Sequence, residues 1–167
     1  MVATLNRLVG TPIPRLIGVV HLAPLPGSPR FDGDLDAVIG DRYGELYYFE
    51  NVGSATAAVF REATGNINPF KGVDVGFYSA PTFADLDGDG DLDLVVGNGP
   101  HQVFETPPGP GSLRYFENTG SAFTERTGAA NPFEDIGIPR IKPSFADLDG
   151  DGDSDLVVGS ADGRERG

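Results

Sequence analysis

An all-β chain built from repeated four-stranded antiparallel units is predicted by three observations. A block of about 60 residues recurs along the sequence, and its complete copy holds four short apolar runs with turn residues between them. No stretch sustains the 3.6-residue period of a helix. With 24 Gly and 14 Pro among 167 residues, close to a quarter of the chain is turn-forming.

The repeat is anchored by Phe83–Gly97 (FADLDGDGDLDLVVG), which recurs as Phe145–Gly159, with a shorter copy at Phe31–Gly40. Aligned on the last Asp of each copy, Asp36, Asp93 and Asp155, the periods are 57 and 62 residues. Between the anchors, Tyr48-Phe-Glu-Asn51 recurs as Tyr115-Phe-Glu-Asn118 and Asn68-Pro-Phe70 as Asn131-Pro-Phe133. The second unit is expected to carry strands at Ala80–Ala84, Leu92–Gly97, Leu113–Glu117 and Phe123–Arg126. Four short strands per unit is the signature of a propeller blade. The chain then divides into a non-repeat segment 1–30, a partial first blade plus one strand (31–86), the rest of the second blade plus one strand (87–148) and a truncated third blade (149–167). This is an incomplete propeller of about two to two and a half blades, whereas closed propellers have four to eight. The Pro/Gly-rich insertion Gly99–Gly111 is expected on the surface, where it is the best candidate for a partner contact.

The chemistry sits in two nine-residue windows, Asp85–Asp93 and Asp147–Asp155, each with five carboxylates and neither with a Lys or Arg to relieve them. A hard divalent cation would relieve them, and the alternating spacing lets a short loop wrap oxygens around calcium. Asp85, Asp87, Asp89 and Asp93 are placed to ligate by side chain and Asp91 by its backbone carbonyl. Asp147, Asp149, Asp151, Asp155 and Asp153 occupy the same places in the second window. The glycine at position six, Gly90 or Gly152, permits the sharp bend. An EF-hand is excluded, because its twelfth position would be Val96, inside an apolar run that reads as a strand.

The Phe-Ala-Asp-Leu-Asp-Gly-Asp-Gly-Asp-Leu-Asp-Leu-Val-Val-Gly pattern resembles the FG-GAP and VCBS repeats, which form the β-propeller of integrin α subunits and of many secreted bacterial proteins. The resemblance runs from Phe31 to about Gly163. It implies two calcium ions per chain, held in hairpin loops where they brace the blades without catalysis. It also implies an extracellular adhesion or interaction role toward a protein or glycan. In the first copy Ser28 and Arg30 stand where two ligating Asp residues belong, so that loop is excluded as a site.

Residues 1–30 hold no acidic residue and do not repeat. Leu16–Arg30 resembles the opening of the BtpA-like photosystem I biogenesis proteins, but a barrel of that kind needs about 250 residues. Leu16–Leu22 is placed to stand in as the first strand of the incomplete first blade.

A formal net charge of −13 argues against nucleic-acid and anionic-membrane partners. No apolar stretch is long enough to span a membrane, no clear signal peptide is present, and there are no cysteines for a disulfide scaffold. An extracellular or cell-surface location is expected, since weak carboxylate sites fill only near millimolar calcium. No nucleophile elbow, phosphate loop or zinc helix occurs, and His21 and His101 lie in unrelated contexts, so no catalytic residue is assigned. The alternatives are a lectin-like or targeting piece of a larger secreted hydrolase and a BtpA-like fragment. Copies that assemble head to tail to complete a propeller are a further expectation.

Overall fold

The computed structural model describes residues 35–54, 56–99 and 110–160, together with the backbone of 21–23. Within these residues the fold is all-β, with single 3-10 turns at Gly65–Ile67 and Gly128–Ala130. Two four-stranded antiparallel sheets and one two-stranded sheet follow one another along the chain.

The first sheet contains β1 (His21–Ala23), β2 (Asp36–Gly40), β3 (Leu46–Asn51) and β4 (Phe60–Ala63), in that order. The second contains β5 (Phe77–Ala84), β6 (Asp93–Gly99), β7 (Leu113–Asn118) and β8 (Phe123–Arg126). The third is the pair β9 (Ile141–Ala146) and β10 (Asp155–Ser160). All four strands expected in the second unit are present, and β5 starts earlier than expected through a bulge between Phe77 and Ala80. The non-repeat segment does complete the first blade: His21, Leu22 and Ala23 pair with Val38, Ala37 and Asp36. The insertion Gly99–Gly111, with His101, lies almost wholly outside the described residues, as does the BtpA-like segment apart from β1.

The alternation of apolar residues gives the first and second sheets two buried faces each. Val38, Leu46 and Tyr48 of the first sheet meet Leu94, Val96 and Phe116 of the second across a core that includes Phe70 and Val75. On its other face the second sheet offers Val95, Leu113 and Tyr115 to Ile141, with Phe145, Leu156 and Val158 of the third sheet packed alongside. Each blade is therefore the substrate on which the next one packs.

One glycine per repeat makes this packing close. A Cβ on Gly40 would lie 2.3 Å from the backbone oxygen of Ser79, and one on Gly97 would lie 2.2 Å from that of Ile141. In both cases the second strand of one blade runs against the first strand of the next, with no room for a side chain. At Gly159, the same position of the third blade, the nearest atom would be at an ordinary 3.7 Å. Val157 shows the same contrast: it is 46% exposed, while its counterparts Val38 and Val95 are 1% and 0% exposed. The third blade presents a face that its predecessors bury.

Asparagines tie each blade to the connection that follows it. Asn68 Nδ2 donates to the carbonyl of Leu46, and its Oδ1 accepts from the Phe70 amide. Asn131 repeats both bonds with Leu113 and Phe133. This is the physical content of the repeated Asn-Pro-Phe.

Candidate metal loops

Two hairpins, between β5 and β6 and between β9 and β10, carry the acidic windows. Each turns on two glycines with positive φ, Gly88 (77°) and Gly90 (92°) in the first, Gly150 (82°) and Gly152 (97°) in the second. The position-six glycine was legible in the sequence. The position-four glycine has the same requirement and was not singled out.

The two loops fold alike. Asp85 accepts from the amides of Gly88 and Gly90 at 2.8 and 3.0 Å, Asp87 from that of Asp89, and Asp89 from that of Asp91 at 2.8 Å. Asp147 accepts from Gly150 and Gly152 at 2.7 and 3.1 Å, Asp149 from Asp151, and Asp151 from Asp153. These amides hold the carboxylates in place while leaving lone pairs free. In each loop the first three carboxylates converge: oxygens of Asp85, Asp87 and Asp89 lie within 4.8 Å of one another, as do those of Asp147, Asp149 and Asp151. Oxygens that share one divalent cation at about 2.3–2.6 Å lie at most about 5 Å apart, and both trios meet that spacing. Asp91 and Asp153 stand outside the trios, in keeping with a main-chain role.

Asp93 is placed differently. It is fully buried at the start of β6 and accepts three hydrogen bonds: from the Leu86 amide (3.1 Å), the Asn118 amide (2.8 Å) and the Tyr115 hydroxyl (3.1 Å). Burial raises its pKa, against the lowering effect of those donors, and burial beside Asp93 also raises that of Tyr115. Asp36 makes the corresponding bonds in the first blade, from the Tyr48 hydroxyl (2.7 Å) and the Asn51 amide (2.8 Å). The first blade lacks the ligand ladder yet keeps this arrangement. The last Asp of the motif therefore locks the second and third strands together whether or not its loop has metal-ligand spacing. In the third blade Asp155 accepts from the Leu148 amide at 2.9 Å.

These bonds give the repeated Tyr-Phe-Glu-Asn its physical reason. The signal was available: Tyr and Asn recur together with the Asp they bond, although the separations, 12 and 15 residues in one blade and 22 and 25 in the next, conceal the contact. The intervening Glu also has a role, since Glu50 pairs with Arg61 and Glu117 with Arg126 on the fourth strand. The Arg126 guanidinium holds the Glu117 carboxyl below its ordinary pKa.

An uncharacterized protein of Pyrococcus horikoshii is 39% identical over 64 residues, which cover 27% of this chain and 25% of that protein. An uncharacterized protein of Pyrococcus furiosus is 53% identical over 38 residues, 23% of this chain and 14% of that protein. The chain thus spans a quarter or less of the length of these curated relatives. No solved structure matches it significantly. The family described as FG-GAP-like repeat matches residues 31–96, a span that contains the whole first acidic window. With the blade pattern, the hairpin loop and this match in agreement, residues 31–96 form an FG-GAP-like repeat.

Proposed function

We propose that the chain is a calcium-braced, non-catalytic repeat module that serves extracellular adhesion or recognition. One observation carries the reading: two loops 62 residues apart fold alike and each brings three carboxylates together at calcium-ligand spacing. Asp85, Asp87 and Asp89 with Asp91 and Asp93 would form one site, and Asp147, Asp149 and Asp151 with Asp153 and Asp155 the other. A bound cation would offset the mutual repulsion of each ladder and fix the hairpin to its blade. Among the described residues no helix is long and apolar enough to cross a membrane, and FG-GAP repeats are typical of extracellular proteins. Exposed, water-accessible carboxylates suit the sub-millimolar to millimolar affinities that fill outside cells. The open face around Val157 fits a further blade, supplied by a continuation of the chain or by a second copy.

Calcium should raise thermal stability. At a concentration 10–100 times Kd, each site contributes about 1.4–2.7 kcal/mol, so two sites shift Tm by roughly 6–22 °C in a protein of this size. Thermal unfolding in chelator and in calcium measures this. An unchanged Tm would contradict the reading, and magnesium should have a smaller effect because it demands a tighter octahedral shell.

A further inference from the structure

Away from the acidic loops, the hairpin between β2 and β3 meets the start of β5, and here the chain gathers features that the calcium reading does not use. The Tyr78 amide donates to the carbonyl of Arg42 at 3.0 Å, which joins the two segments. Tyr43, Phe77 and Tyr78 form a row of rings with successive centroid separations of 6.4 Å. A guanidinium stands at each end: Arg42 is 6.0 Å from the Tyr43 ring centroid and Arg140 is 5.3 Å from that of Tyr78.

Three independent properties set this patch apart. Among the described residues, Arg61, Arg114 and Arg126 each hold a glutamate, whereas Arg42 and Arg140 form no ion pair, and the Nε of each is buried without an acceptor. Among the described residues, the five arginines thus divide into three held by a glutamate and two that are not. The nearby acids are engaged elsewhere: Asp41 accepts from the amides of Tyr43 and Glu45, Glu45 from the Tyr47 hydroxyl, and Asp74 from the Gly76 amide. Next, Tyr78 (φ 61°) and Arg140 (φ 51°) are the non-glycine residues with positive φ among those described. They occupy the same position in successive blades, where glycine would adopt the turn without strain, yet the chain places there the two side chains that stack on each other. Finally, the row is accessible, with Tyr43 53% exposed and Arg42, Phe77, Tyr78 and Arg140 half-buried.

We propose that this patch binds an anionic polysaccharide, the aromatic faces stacking on sugar rings and Arg42 and Arg140 pairing with carboxylates carried along the chain. The rings are inclined to one another by 65° and 55°, so the row offers alternating faces and edges to a repeating ligand with apolar ring faces, and a guanidinium at each end suits charge that recurs along it. An acidic peptide added as a strand is a poorer fit, because at the start of the edge strand β5 the Tyr78 and Ser79 amides already donate to the carbonyls of Arg42 and Asp41. The inference rests on the reading of the chain as a recognition module and names its ligand class.

The test is calorimetric titration of hexagalacturonate into the protein, with neutral galactohexaose and a polyglutamate peptide as the other arms, and with Arg42→Gln and Arg140→Gln as variants. Saturable binding of the uronate is expected, weakening as salt rises from about 0.05 to about 0.3 M. Each Arg variant should lose tenfold or more in affinity with Tm held within about 2 °C. The Asp89→Ala/Asp151→Ala variant should still bind, which separates this site from uronate bridged through loop calcium. No uronate binding by cooperatively folded protein, or equal binding by both Arg variants, would overturn the proposal. Equal affinity for galactohexaose would remove the role of charge, and tighter binding of polyglutamate would assign the patch to acidic polypeptides instead. Because calcium binding is read separately, its failure would leave a positive uronate result standing, and the reverse holds equally.

Discussion

Gly97→Ala should destabilise the protein by about 3 kcal/mol or more, a fall in Tm of roughly 6–12 °C, while Gly159→Ala should change stability by less than about 0.5 kcal/mol. The two glycines hold the same place in successive blades. A methyl at Gly97 would meet the backbone oxygen of Ile141 at 2.2 Å and the ring of Pro143 at 2.6 Å, so relief requires the second and third blades to move apart. At Gly159 the nearest atom lies 3.7 Å away and the methyl is accommodated. Chemical denaturation of the pair measures the difference. Equal effects would mean that the contact between blades does not form as described.

Asp93→Ala should cost about 3–5 kcal/mol, in chelator as well as in calcium. The substitution leaves the amides of Leu86 and Asn118 and the hydroxyl of Tyr115 without their acceptor, and each buried orphan costs about 1–3 kcal/mol. Asp89→Ala, at an exposed loop position, should have little effect in chelator and a large one in calcium. Thermal unfolding of both variants under both conditions separates the strand lock from the metal loop. Loss of stability by Asp93→Ala in calcium alone would show that the hydrogen-bond network contributes little and that the residue acts only as a ligand.

Much of this was legible in the sequence because period-two alternation and turn glycines are local signals. All four strands of the second blade and the glycine bend of both loops follow from residues within a few positions of one another. What was not legible is long-range. Nothing local marks Asp93 as the acceptor for Tyr115 and Asn118, and nothing near Gly97 shows that Ile141 will press against it. The convergence of Asp85, Asp87 and Asp89 follows from their alternating spacing, which is a local signal. The ring row escaped notice because Tyr43, Phe77 and Arg140 come from three separate connections and carry no motif. Of the strand expected over Leu16–Leu22, His21 and Leu22 pair with β2 as part of β1 (His21–Ala23), while residues 16–20 lie outside the described residues.

Calcium in the two loops is the central claim, and calorimetric titration of calcium into chelator-stripped protein, with Asp89→Ala and Asp151→Ala alongside, tests it most directly. Two sites per chain, one lost in each variant and both lost in the double variant, is the expected result. Absence of calcium binding by protein that still unfolds cooperatively, or sites that persist in the double variant, would contradict it.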